Sequence, residues 1–227
     1  MTLELQLLLL AWGTFVGVDL VSIPQMMIAR PLVAGAVAGA MLGDLSTGLQ
    51  LGVVFELFQY DILPVGAVRY PEYGPATVAA VSAAHAVPGG LLAGIGLGTV
   101  VGLVVGLGGG VSLHLLRRLN ARAVHKVAPL LEAGDARALL RLHLGSIVRD
   151  GARALLVTAA GLGLAAGARI VLAGTLGPRD AALLAVAAVA AAWAAGSAGT
   201  LRLIGRGPGL RWFAAGLGGG ALVVWLR

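Results

Sequence analysis

Apolar residues run through this chain in long blocks, without the alternating or one-sided patterning of a water-soluble domain. The first block covers residues 3–23 and is interrupted by Asp19 near its end; Pro24 and the Arg30-Pro31 pair end it. A second runs from Leu32 to about Phe58 and contains Asp44 and Glu56. Residues 59–75 break the pattern with Pro64, Pro71, Pro75, Gly66 and Gly74. A helix does not continue through such a stretch, because proline removes a backbone donor and restricts the residue before it. Residues 76–116 are apolar again, long enough for two passes broken near Pro88-Gly89-Gly90. After a polar stretch at 117–153 come blocks at 154–176, 181–204 and 210–226, with turns at Gly177-Pro178 and Gly205 to Gly209. The pattern predicts an all-α integral membrane protein with about six to eight membrane segments, built as one transmembrane domain over residues 1–227. It also predicts a re-entrant hairpin element within residues 32–75, since irregular backbone at membrane depth must be buried in protein or line a watery cavity.

Composition sharpens this picture. The 227 residues are 59% hydrophobic and 11% charged, with a mean hydropathy of +0.95. A soluble domain carries roughly 25% charged residues, so this chain lacks the polar surface to cover a globule in water and must use lipid as solvent. Aromatics make up only 5% while glycine occurs 36 times. An outer-membrane barrel needs aromatic girdles; closely packed helices instead need small residues at their contacts. There is no cysteine, hence no disulfide or thiolate chemistry. The net charge of +6 does not indicate nucleic-acid binding, because the basic residues are concentrated between apolar segments and lack stacking aromatics. The N-terminus has Glu4 where a signal peptide has basic residues, and no small-residue cleavage site follows, so it is read as a retained first helix. Trp212 and Trp225 fit interfacial anchoring.

Within the second pass of residues 76–116, Gly94, Gly98, Gly102, Gly106 and Gly110 recur every four positions, and Gly35, Gly39 and Gly43 repeat the device earlier. On a helix this spacing draws a groove of missing side chains suited to close helix contact. A nucleotide-binding reading fails for lack of a strand–turn–helix context. Residues 117–153 hold eight basic and three acidic residues, a local net charge of +5. The positive-inside rule makes this a cytoplasmic loop, and Leu139, Leu140, Leu142 and Leu144 predict short amphipathic helices at the membrane surface. The same loop offers a docking surface for a soluble partner.

Six of the ten acidic residues (Glu4, Asp19, Asp44, Glu56, Asp61 and Glu72) lie in residues 1–75, with only Arg30 and Arg69 as basic company. An ionisable residue in a membrane segment costs roughly 2.5–3.5 kcal/mol on insertion scales, so it faces a polar path or a partner. Asp44-Leu45-Ser46-Thr47 reads as a helix-capping sequence, which gives Asp44 a structural role. Glu56 ends a glycine strip begun at Gly48 and Gly52, and with Glu72 it brackets the Pro/Gly break; both are candidate solute-facing carboxylates. Asp61, Arg69 and Glu72 form, as an alternative, an internal ion-pair set.

The stretch from Arg30 to Thr77 resembles the membrane IIC subunit of the mannose/fructose/sorbose family of the bacterial phosphotransferase system. The resemblance rests on Arg30-Pro31-Leu32, Leu42-Gly43-Asp44, Thr47-Gly48, Gly52, Glu56, Val65-Gly66-Ala67 and Pro71-Glu72. It continues more weakly at Leu142-His143-Leu144-Gly145-Ser146 and Arg153. The resemblance implies a permease domain in the bacterial inner membrane that pairs with a IID membrane subunit in an oligomeric assembly. Soluble IIA and IIB phosphocarrier proteins would phosphorylate the sugar it moves. It implies that Glu56 and Glu72 accept sugar hydroxyls, with Arg69, Asp61 and Gln59 beside them and Asp44, Thr47, Gly48, Gly66 and Pro71 shaping the site. Glu72 stands where the family usually has Asp, and Gln59, Asp61, Arg69, Tyr70 and Tyr73 make the loop bulkier and more polar. Arg69 there suits an anionic group on a solute or neutralises a neighbouring carboxylate. His85, His114, His125 and His143 would not be phosphocarriers, and no cofactor or metal is expected. The competing class is a non-transporting scaffold or sensor that docks phosphotransferase proteins through residues 117–153. An embedded enzyme is disfavoured, since the spans hold no His cluster, Ser/Lys dyad or metal spacing.

Overall fold

The computed structural model describes residues 1–60, 62, 68–172, 175, 177–204 and 207–226. Among these residues every regular element is an α-helix: α1 (Leu3–Asp19), α2 (Pro31–Met41), α3 (Leu45–Tyr60), α4 (Tyr73–Ala84), α5 (Gly90–Glu132), α6 (Ala136–Leu172), α7 (Pro178–Ile204) and α8 (Gly209–Trp225). Helices α5, α6 and α7 are each long and apolar enough to cross a membrane. The 17 residues of α1 and of α8 give rods of about 26 Å at 1.5 Å per residue.

Helices α2 and α3 fold against each other as a hairpin. Neither arm crosses a bilayer: 11 and 16 residues reach only about 16 and 24 Å, against a hydrocarbon core of about 30 Å. The reversal is made by Gly43 and Asp44. Gly43 takes φ +71°, the left-handed conformation that lets Asp44 N donate back to Gly39 O (2.8 Å) and close α2. Asp44 Oδ1 then accepts from Thr47 N at 3.1 Å and opens α3, the capping geometry its sequence predicts. Glycines let the arms touch by backbone. A Cβ on Gly35 would lie 2.5 Å from Gly48 O, and one on Gly39 2.8 Å from the Gly48 Cα.

Every residue of α4 is buried; α1, α2, α3, α5 and α6 all pack against this 12-residue helix. It lies along the glycine groove of α5. Gly94 faces Ala84, Gly98 faces Ala80, Gly106 faces Tyr73, and a Cβ on Gly102 would run into the Phe55 ring. The carbonyl end of a buried helix needs donors; Arg169 of α6 supplies one, with Nη1 donating to Ser82 O at 2.9 Å.

Residues 117–153, expected as a loop carrying short surface helices, are instead the end of one long helix and the start of the next, joined by a tight turn. The α5 helix runs unbroken to Glu132 and α6 starts at Ala136. Buried residues of α5 end at Leu116, so its last 16 residues extend about 24 Å past the core, paired with the first half of α6. The tip repeats the Gly-Asp device: Gly134 has φ +76° and Asp135 Oδ1 accepts from Arg137 N (2.8 Å) and Ala138 N (3.1 Å).

Candidate functional site

Residues 68–72 have no regular secondary structure and cross α5 where it has no side chains. Glu72 N donates to Gly106 O at 2.8 Å. A Cβ on Gly110 would collide with Tyr70 O, and one on Gly109 would lie 2.7 Å from Glu72 Oε2. The two glycines thus admit the Glu72 carboxylate to the interior. There it meets Arg153 of α6 in a two-pronged bridge, Nη1 to Oε2 at 2.5 Å and Nη2 to Oε1 at 3.0 Å. The remaining guanidinium donors are also used. Nε donates to Asp150 Oδ1 (2.8 Å), Nη1 to Ser112 Oγ (3.3 Å) and Nη2 to Gly17 O (3.1 Å). Asp150 Oδ2 in turn accepts from Ser22 Oγ at 2.5 Å. Glu72 is 1%, Asp150 0% and Arg153 8% exposed. A desolvated charge needs this degree of satisfaction to be tolerated. The result is an ionic centre that joins α1, α4, α5 and α6.

Glu72 therefore faces Arg153 and not open space, and the expected Asp61–Arg69–Glu72 set is not formed by Arg69 and Glu72. Arg69 points away, with Nη2 3.4 Å from His114 Nε2 on α5. Asp61 and Gly66 lie outside the described residues. Sequence reasoning assigned Asp150 and Arg153 to the basic loop and missed their burial. The available signal was their i, i+3 spacing on one helix face; Ser22 and Ser112 carried none.

Glu56 lies near the end of α3 with 15% of its side chain exposed. It accepts from Arg30 Nη2 and from Leu32 N (3.2 Å), and so caps the start of α2. One turn on, Gln59 lines a cavity of about 40 Å³ with Leu20, Ala29, Tyr70, Pro71 and Tyr73. Asp19, left without a role by the sequence, is 1% exposed and accepts from Met26 N (2.8 Å) and Ala29 N (3.1 Å). It thereby sets the turn between α1 and α2 that brings Ala29 to the cavity, a turn in which Met27 holds φ +65°. Asp44, Thr47 and Gly48 sit in the α2–α3 reversal, at the other end of α3 from Gln59. Among the described residues no cluster of three or more His, Asp or Glu is placed to hold a metal ion.

This arrangement is that of an α-helical membrane protein in which a short buried helix and a re-entrant hairpin converge on a polar junction. Residues 5–174 match the model of the family described as PTS system sorbose-specific IIC component (EII-Sor); the chain belongs to this family. Similar proteins include the fructose permease IIC component of Bacillus subtilis (strain 168), 28% identical over 129 residues, 57% of this chain and 46% of that protein. The sorbose-specific EIIC component of Klebsiella pneumoniae is 31% identical over 124 residues, 55% of this chain and 45% of that protein. The corresponding protein of Lacticaseibacillus casei is 26% identical over 152 residues, 67% of this chain and 53% of that protein. The chain thus matches about half the length of these relatives. Two solved structures share the fold at 19% identity, each covering 97% of this chain and 87% of the other. One is described only as a membrane protein (TM-score 0.73); the other is the mannose transporter ManYZ in complex with microcin E492 (TM-score 0.56).

Proposed function

We propose that the protein is the sugar-translocating IIC subunit of a phosphoenolpyruvate-dependent phosphotransferase system, working in a bacterial inner membrane. Its partners on this reading are a IID membrane subunit and soluble IIA and IIB phosphocarriers, and the solute is a hexose, an amino sugar or a related sugar acid. The observation that supports the reading is the convergence of family-motif residues (Arg30, Glu56 and Pro71) with the loop residues Gln59 and Tyr70. Arg30 and Glu56 join the two arms of the hairpin, and Gln59, Tyr70 and Pro71 close around one cavity beside them. Glu56 keeps spare lone pairs on both oxygens for sugar hydroxyls, and Gln59 adds an amide that both donates and accepts. Glu72 supports the site from behind, its carboxylate engaged by Arg153 while its backbone aligns Tyr70 and Pro71. A cavity of about 40 Å³ holds little more than water, so a sugar enters only when the hairpin and α4 part.

The test is phosphoenolpyruvate-dependent uptake of labelled sugars into vesicles carrying the cognate subunits. Glu56→Gln and Gln59→Ala are each expected to lower uptake by about tenfold or more, the effect of losing one hydrogen bond to a charged or buried polar group. Uptake unchanged in both variants removes these residues from the solute site. IIB binding without any uptake would instead support the non-transporting scaffold.

A further inference from the structure

A second pocket, of about 210 Å³, shares Tyr70 and Pro71 with the solute cavity and is lined also by Arg69, Gly110, Val111 and His114 among others. Its polar groups are all potential donors. Arg69 Nη2 is 3.4 Å from His114 Nε2. The Arg117 guanidinium stacks 5.4 Å from the centre of the Tyr70 ring and donates to Val68 O (3.0 Å) and Tyr70 Oη (3.1 Å). The Tyr70 hydroxyl, accepting from Arg117, keeps its own proton to donate. Arg118 follows directly on α5. Among the described residues none of these three arginines has a carboxylate within ion-pair distance; the bridges formed there are Arg30–Glu56, Arg153–Glu72 and Arg153–Asp150. Like charges gathered without a counter-ion repel one another, and an oxyanion placed among them removes that repulsion.

We infer that Arg69, His114 and Tyr70, backed by Arg117, form a binding site for a phosphoryl group. Donors arriving from separate directions on the 68–72 segment and on α5 suit a tetrahedral group with three terminal oxygens, whereas a planar carboxylate is matched by a single guanidinium fork. Position favours the same occupant. The pocket sits where the apolar half of α5 gives way to its basic half, the end that charge asymmetry assigns to the cytoplasm. It shares Tyr70 and Pro71 with the lining of the solute cavity. Its natural occupant, given the sugar-permease reading on which this part rests, is the phosphoryl group of the sugar phosphate formed at that face.

The site is tested by calorimetric titration of the purified protein in mild detergent, which needs neither partners nor transport and so stands or fails apart from the uptake assay. Inorganic phosphate and glucose 6-phosphate are expected to bind, and Arg69→Gln and His114→Asn each to weaken binding by about tenfold or more. The two variants alter partly or fully exposed side chains, and their folding is checked by thermal unfolding. Absence of phosphate binding, or binding unchanged in both variants, overturns the assignment. Galacturonate binding more tightly than phosphate would make it a carboxylate site and overturn the phosphoryl reading. Phosphate binding that disappears in nanodiscs containing phosphatidylglycerol, but persists in phosphatidylcholine alone, would make the occupant a lipid headgroup and likewise overturn it.

Discussion

Arg153 makes five donor contacts in the interior of a membrane protein, two to Glu72 and one each to Asp150, Ser112 and Gly17. With Glu72 and Asp150 both beside it, removing the arginine leaves two carboxylates facing each other without water. Arg153→Leu is expected to cost about 3–5 kcal/mol, the range for breaking a buried ion pair from one side, read as a fall in the thermal midpoint in detergent. Adding Glu72→Gln to Arg153→Leu should recover part of that loss, since it takes away one stranded charge. A double variant no more stable than Arg153→Leu would mean that the pair is not the source. The carboxylates of this chain thus sort by what they pair with. Asp44 and Asp19 hold turns, Glu72 and Asp150 hold the core, and Glu56 lies partly exposed beside the cavity that Gln59 lines.

The glycines of α5 are not equivalent, although they look alike along the chain. A Cβ at Gly110 meets the Tyr70 carbonyl, which cannot give way without moving the segment that carries Glu72, while a Cβ at Gly108 meets nothing within 4 Å. Gly110→Ala should therefore lower stability. Gly108→Ala, in an exposed helical position, should raise it by about 0.5–1 kcal/mol through reduced backbone entropy in the unfolded chain. Thermal unfolding of the two variants side by side decides the matter, and equal effects would contradict the contact assignment. The four-residue spacing announced that this face packs closely. It did not announce that α4 and the 68–72 segment fill it, because the partner of a smooth groove is chosen by chain topology. The α5–α6 extension was misread for a related reason. Dense arginines lower the hydropathy of residues 117–153, yet charge does not end a helix, and the Gly134-Asp135 pair that does end it repeats the geometry of Gly43-Asp44.

For the whole molecule, the paired ends of α5 and α6 form an arm with exposed leucines and arginines, reaching about 24 Å beyond the buried core. By the positive-inside rule this arm is expected on the cytoplasmic side. Because the chain has no cysteine, Ala133→Cys at the exposed tip gives one thiol for a membrane-impermeant maleimide. Labelling is expected in inverted membrane vesicles and not in intact cells; the opposite result reverses the topology and moves the phosphoryl pocket away from the phosphorylating compartment.

The amino-acid sequence by itself determined the solvent, the helical class, the close-packing faces and the family. These follow from local quantities: hydropathy over some twenty residues, the helical repeat, and short motifs such as Leu42-Gly43-Asp44 and Pro71-Glu72. It also placed Arg30, Glu56, Gln59 and the residues after the break in one region of interest. Tertiary structure alone decided which charges meet. Arg153 lies 81 positions from Glu72 in the chain, and Arg69 lies 45 positions from His114. Pairing at such separations is set by how the helices stack, and a charge buried in a low-dielectric interior takes whichever partner the packing brings within reach.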